Sequence, residues 1–227
     1  MINLNLKEIH DGVFRTSYRG IPIQKFPFDY VIYQMIMNEI KPDLIIEIGT
    51  CYGGSALYFA DLMDALNIVG GEIHTIDIID LETRKNTFNG NFPNLSTNEN
   101  YPTIIHSNPR IKQFTNGFMD YDLDNTKGFK TILVIDDGSH IQEEVLESLN
   151  KFKDIVSVGS YFIIEDSNIL DLTFLSPEVL QPMNGGPLNA IATFLNSSNN
   201  FTIDLHWCDM FGINSTFNTY GYLKKYK

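Results

Sequence analysis

Apolar side chains recur along this chain at two spacings, and the alternation between them lays out the elements. Across 28–40, Val31, Ile32, Met35, Ile36 and Ile40 recur in steps of one, three and four, the spacing of a helix with one buried face. Lys41-Pro42 closes that helix, because proline disfavours helical backbone at the residue before it. Leu44–Ile48 is a short apolar run and predicts a buried strand, followed by the glycine-rich turn 49–54 and a helix over 55–66. A second strand is expected over 72–77. The polar, Asn-rich stretch 80–102 then reads as a long connection suited to a lid. Further on the pattern predicts a third strand at 103–106, a short helix at 111–118, a strand at 131–135, a helix at 141–152 and a strand at 160–164. After a loop rich in Pro and Gly come a helix at 188–195 and two late strands, 201–207 and 217–224, read as a terminal antiparallel pair.

Strands that alternate with helices make a parallel sheet covered on both faces. The expected fold is therefore α/β and Rossmann-like, with a mostly parallel seven-stranded sheet. A chain of 227 residues suits one such domain, here 28–227, with 1–27 as an irregular lead-in. In open sheets of this kind ligands bind beyond the carboxyl ends of the strands. The clusters that carry chemistry all fall at such ends.

Charge narrows the partners. Lys and Arg total 16 against 28 Asp and Glu, a net charge of −12, and a field of that sign repels nucleic acid and anionic lipid. No apolar run is long enough for a membrane span, and Met1–Lys7 holds no apolar signal-peptide core. Cys51 and Cys208 make no disulfide framework. The expectation is a soluble cytoplasmic protein, in which Asn-X-Ser/Thr sequons such as those at Asn94 and Asn214 are chance.

The segment Glu47-Ile48-Gly49-Thr50-Cys51-Tyr52-Gly53-Gly54-Ser55 has the glycines of a tight turn that a ligand can approach closely. A pyrophosphate site would want G-x-G-x-x-G, and Cys51 breaks that spacing. The pattern suits a nucleoside ligand without phosphate, and Asp77 at the end of the next strand is placed to accept hydrogen bonds from ribose hydroxyls. The blander reading of the glycines is a turn and nothing more.

The acids past strands four and five are more informative. Asp137 follows one strand and Glu165-Asp166 the next, and neighbouring strands run about 4.8 Å apart. Carboxylates held that close raise one another's pKa unless a cation neutralises them, and an all-oxygen set favours Mg, Mn or Ca. His140, three residues after Asp137, has the pKa range of a general base. The competing reading is a solvated acidic rim in which Asp136 or Asp137 only caps a helix. His10, His74, His106 and His206 have no such company and read as structural or exposed.

These residues resemble the cephalosporin hydroxylase/rhamnosyl O-methyltransferase family and its metal-dependent macrolide-sugar relatives. The resemblance runs from Gly20-Ile21-Pro22-Ile23-Gln24-Lys25-Phe26-Pro27-Phe28-Asp29 through the glycine turn and Ile135-Asp136-Asp137-Gly138-Ser139-His140. It continues in Tyr161-Phe162-Ile163-Ile164-Glu165-Asp166, Gly186-Pro187-Leu188-Asn189-Ala190 and Gly221-Tyr222-Leu223-Lys224. It implies a class I methyltransferase fold and S-adenosylmethionine as cofactor, held by Glu47, Gly49, Thr50, Tyr52, Gly53, Ser55, Asp77 and Asp136. It implies Mg²⁺ (or Mn²⁺) on Asp137, Glu165 and Asp166, and His140 as base beside Asp137. The implied acceptor is a sugar with two neighbouring hydroxyls, and self-association would fall to the N-terminal lead-in. Ile105-His106-Ser107-Asn108 departs from the family's Gly-Asp-Ser type turn. The rival readings are O-methylation of a catechol-like phenol, an NAD-linked oxidoreductase and a non-catalytic cofactor-binding protein.

Overall fold

The computed structural model describes residues 5–86 and 99–227. The Asn94 sequon and 87–98 of the expected lid lie outside them. Seven strands form the main sheet: β1 Leu44–Ile48, β2 Glu72–Ile76, β3 Ile111–Phe114, β4 Ile132–Asp136, β5 Tyr161–Ile164, β6 Phe201–Ile203 and β7 Tyr222–Lys225. Their order is β3-β2-β1-β4-β5-β7-β6. The first five pair in parallel, while β7 runs antiparallel to both β5 and β6.

Alternation along β1 decides which layer each side chain joins. Ile45 points to the face covered by α2 (Pro27–Ile40) and α3 (Gly54–Ala65), where it packs with Ile32, Tyr33, Ile36 and Phe59. Leu44, Ile46 and Ile48 point to the other face and meet α4 (Gln142–Phe152) and α5 (Gly186–Ser197) through Leu149, Phe152 and Phe194. All five residues of β1 are buried, as the centre of a doubly covered parallel sheet requires. Burial of one such Ile or Leu contributes roughly 1.5–3 kcal/mol. α2 begins with Pro27 in its first turn, where proline costs no backbone bond, and ends at Lys41 in the left-handed region.

Three expectations fail. Residues 103–106, expected as the third strand, are a helical turn (Thr103–His106), and the expected helix at 111–118 is instead the third strand at 111–114. A four-residue apolar run does not distinguish strand from helix. β3 is an edge strand, and its sequence Ile111-Lys112-Gln113-Phe114 needs apolar residues on only one face. The late strands are shorter than expected, because Asp204 caps the N-terminus of a short helix over Leu205–Cys208 by accepting from the His206 amide at 3.2 Å. Finally, the lead-in is not irregular. It forms α1 (Leu6–Val13), capped by Asn5, and a small hairpin pairing Ser17–Tyr18 with Ile21–Pro22. Ile21 is fully buried in the main core. Among the described residues, no helix is long and apolar enough to cross a membrane.

Candidate active site

A crevice of about 790 Å³ opens beyond the carboxyl ends of β1, β2 and β4. Gly49, Thr50, Tyr52, Ser55, Asp77, Asp136, Asp137, His140 and Asp166 line it. Glu47 and Gly53 do not. Glu47 is fully buried behind the turn, where the Thr75 hydroxyl donates to its Oε2 at 2.7 Å. Burial pushes the Glu47 carboxyl up to about 6, against the pull of the Lys25 charge and the Ser55 and Thr75 hydroxyls.

The glycines are needed for packing as much as for ligand access. A Cβ on Gly49 would lie 2.1 Å from the carbonyl oxygen of Asp137, and Gly49 itself adopts φ +97°. Only glycine lets the end of β1 lie against the exit of β4. A Cβ on Gly54 would lie 2.1 Å from the carbonyl oxygen of Pro22, so this residue seats the N-terminal hairpin on the start of α3. The turn is held by its backbone: the Cys51 amide donates to Asp77 Oδ2 at 3.0 Å. Asp77 Oδ1 accepts from the amides of Ile78 and Ile79, and Arg84 stands 3.6 Å from Oδ2. Oδ1 already accepts two hydrogen bonds, so the remaining lone-pair capacity of this carboxylate lies on Oδ2.

Past β4 the chain turns sharply. Asp136 faces inward, accepting from the Gly138 amide at 3.1 Å and from the Ser148 hydroxyl, and burial raises its carboxyl to about 6. Asp137 and His140 face the crevice. His140, Asp166 and Cys51 all adopt left-handed backbone, which costs a non-glycine residue about 1 kcal/mol or more and concentrates at functional sites. His140 Nε2 stands 3.9 Å from Asp137 Oδ1 and 3.7 Å from Asp166 Oδ2. One donor atom from each of these three residues lies within 4.8 Å of the others. These distances are too long for hydrogen bonds and leave room for an ion at the two carboxylates, with the imidazole beside it. The crevice walls desolvate Asp166 and push its carboxyl up, His140 pulls it down, and Asp137 adds to the push.

Glu165 is placed differently from the expectation. It is buried, and its Oε1 accepts from Lys25 Nζ at 2.6 Å and from the Tyr33 hydroxyl at 2.6 Å. It lies outside the converging group of Asp137, His140 and Asp166. Lys25 also donates to Asp137 Oδ2 at 2.8 Å. Burial opposes the Lys25 charge, but Asp137, Glu165 and Glu47 together hold its pKa well above the ordinary lysine value. Burial and the charge of Asp137 push the Glu165 carboxyl up, and Lys25 and Tyr33 pull against them.

Lys25 and Tyr33 were not foreseen as site residues. The available signal was local: Lys25 sits among Ile21, Ile23 and Phe26, all buried, in a stretch whose pattern belongs to a core. His10, expected to be structural or exposed, forms part of the crevice wall, its ring 5.0 Å from Phe14 and 5.1 Å from Phe174. Val13, Phe14, Leu175, Val179 and Phe217 extend this apolar end of the crevice.

A sheet ordered β3-β2-β1-β4-β5-β7-β6 with β7 reversed, and a crevice at the β1 turn, define the class I methyltransferase fold. Within that class the chain belongs to the family described as Rhamnosyl O-methyltransferase/CmcI, whose model matches residues 12–226. It is 30% identical over 184 residues to a rhamnosyl O-methyltransferase of Mycobacterium tuberculosis, a match covering 79% of this chain and 66% of that protein, just under two thirds of its length. The rhamnosyl O-methyltransferase of Mycobacterium leprae is 26% identical over 179 residues, covering 79% and 70%. A CmcI structure with Mg and SAM superposes with a TM-score of 0.61 at 19% identity, over 93% of this chain and 77% of that one. The SAH-bound methyltransferase PaMTH1 of Podospora anserina gives 0.54 at 18%, over 90% and 83%. At these identities the structural likenesses speak for the fold.

Proposed function

We propose that this chain is an S-adenosylmethionine-dependent O-methyltransferase that uses a divalent ion, Mg²⁺ or Mn²⁺, to methylate one hydroxyl of a vicinal diol on a sugar. The observation that carries the reading is the convergence of Asp137, Asp166 and His140 on the wall of the crevice opened by the glycine turn. Two carboxylates with open space beside them fit a hard divalent cation that keeps free positions, and the imidazole next to them fits a base. The mycobacterial relatives, named for rhamnosyl O-methylation, support the acceptor class.

S-adenosylmethionine, when bound, supplies an electrophilic methyl group. The divalent ion, when bound, supplies a Lewis acid that makes a hydroxyl more acidic. The chain supplies the rest. The β1 turn and Asp77 orient the nucleoside, with Thr50, Tyr52, Ser55 and Asp136 in the same wall. Asp137 and Asp166 fix where the acceptor oxygens sit, which sets up proximity. His140 Nε2 receives the proton of the reacting hydroxyl.

The test is methyl transfer from labelled S-adenosylmethionine to rhamnosides, with Mg²⁺ and with EDTA. His140→Ala should lower kcat by about 10²–10⁴-fold. Asp166→Asn should raise the Mg²⁺ requirement about tenfold or more. Turnover that survives EDTA removes the metal from the mechanism, and full activity in His140→Ala removes the base. A second reading, a catechol-like phenol as acceptor, draws on the apolar end formed by Val13, Phe14, Leu175, Val179 and Phe217. Transfer to catechols but to no rhamnoside would establish it.

A further inference from the structure

His10 lines the crevice from the last turn of α1, and packing holds its ring where hydrogen bonds do not. Phe14 and Phe174 meet it edge-on at 5.0 and 5.1 Å, and Phe217 lies 6.1 Å away. The side chain is 14% exposed, and its Nδ1 is sealed from solvent with no hydrogen-bond partner among the described residues. Asp11 Oδ1, at 3.8 Å, is too far to serve. Buried polar atoms are nearly always paired, because an unpaired one costs stability. A phenyl ring would suit these aromatic neighbours without that cost, so the imidazole serves something other than packing.

The surroundings point to a ligand. The same wall holds Asp166, and the aromatic cluster is tied to it: Asn218, next to Phe217, accepts the Asp166 amide at 3.1 Å. With Nδ1 sealed, Nε2 is the nitrogen left to meet a ligand. A neutral imidazole nitrogen donates in one tautomer and accepts in the other, and a hydroxyl answers either. A rhamnoside offers three neighbouring ring hydroxyls. Two of them make the reacting diol, which leaves one over and two ways to choose the pair. We infer that His10 is a specificity-determining residue of the acceptor site, whose Nε2 pairs with the hydroxyl left over and thereby decides which hydroxyl is methylated. The inference rests on the reading of the acceptor as a vicinal diol of a sugar. A single hydrogen bond outside the diol discriminates, because the wrong register leaves a polar nitrogen unpaired against an apolar wall. A ring already locked by its neighbours makes that contact without being ordered first.

The experiment compares wild type, His10→Phe and His10→Gln on methyl rhamnoside and on its monodeoxy analogues, reading KM, kcat, the position of the new methyl ether and the urea midpoint. His10→Phe keeps the aromatic packing and removes the nitrogens. It should raise KM about tenfold with kcat falling less, and turn one product into a mixture, while the urea midpoint holds or rises. His10→Gln keeps a polar group near the place of Nε2 and should recover the single product. The monodeoxy analogue that keeps the diol but lacks the third hydroxyl should show the same rise in KM with wild type and no further rise with His10→Phe. The inference is overturned if His10→Phe keeps the wild-type KM and product. It is also overturned if His10→Phe lowers the urea midpoint and weakens every acceptor equally, which is the mark of a packing residue. If His10→Phe does not fold, His10→Leu carries the same comparison. Wild-type protein that methylates no rhamnoside refutes the acceptor reading and the inference with it, whereas an active wild type beside an unaltered His10→Phe refutes the inference alone.

Discussion

The two sides of the crevice are built by opposite means. Beyond β1 the wall is backbone: the Gly49 amide donates to Ile76, the Gly53 amide to Thr50, and the Cys51 amide to Asp77. Beyond β4 and β5 the wall is side chains drawn from remote sequence. Lys25 and Glu165 are 140 positions apart, Tyr33 and Glu165 are 132 apart, and Asp29 and Thr216 are 187 apart. A backbone-built wall depends on conformation and tolerates changes of side chain. A side-chain-built wall depends on charge balance and hydrogen bonds, and fails when one partner is removed.

Gly49→Ala strikes the first wall where it is weakest. The new methyl would need left-handed backbone and would meet the Asp137 carbonyl oxygen at 2.1 Å. Strain and overpacking together should cost about 3 kcal/mol or more. Because the clash falls on Asp137, the damage should cross to the second wall. Urea unfolding and Mn²⁺ binding should therefore both deteriorate. A variant that is destabilised yet binds Mn²⁺ normally would show that the two walls are mechanically independent.

Asp29 tests the second wall by pH. It is buried behind the acids and accepts from Thr216, from Tyr222 at 3.1 Å and from the Phe217 amide at 3.3 Å. Tyr222 and Tyr33 both neighbour the Asn218 side chain, at 3.3 and 3.5 Å, so the network reaches Glu165. Burial raises the Asp29 carboxyl to about 7. The three hydrogen bonds pull it down, and the charge of Asp166 adds to the rise. The folded value exceeds the unfolded one, so the native state holds this proton longer. The stability it contributes is fully present below about pH 4 and is lost as pH rises through about 7, on the order of a few kcal/mol. Asp29→Asn keeps an acceptor and removes the titration. Its urea midpoint should fall less than wild type between pH 6 and 7.5, a window above the values of about 6 for Glu47 and Asp136. An unchanged slope would place the titration elsewhere.

The same contrast explains what could be read from the chain alone. β1, β2, β4 and β5 were legible because doubly buried parallel strands are near-continuous apolar runs. The glycine turn, Asp77, Asp137, Asp166 and His140 were legible because each sits a fixed step beyond such a strand. The third strand was misplaced because Lys112 and Gln113 lie on an edge, where half the residues face water. Lys25 was missed as a site residue because a lysine signals exposure in any local window, and its burial follows only from acids more than a hundred residues away. α1 was missed because its eight residues bury only Val13.

Cys51→Ser is the smallest effect and the sharpest statement of the comparison. Cys51 sits inside the glycine turn, adopts left-handed backbone and lines the crevice. A reactive thiol there would be a chemical group of the site. Burial instead pushes it up to about 11, with the nearby Arg84 charge pulling down only in part, so it stays protonated and unreactive at neutral pH. Its Sγ makes a weak hydrogen bond to Gln24 Oε1 at 3.7 Å, whereas its amide carries the bond to Asp77. Serine keeps that amide, the backbone and nearly the same volume. The expected change is under about 1 kcal/mol in the urea midpoint, with binding of S-adenosylhomocysteine preserved. A large loss of either would mean that the side chain at 51 contributes to this wall, and the division between a backbone-built and a side-chain-built half would not hold.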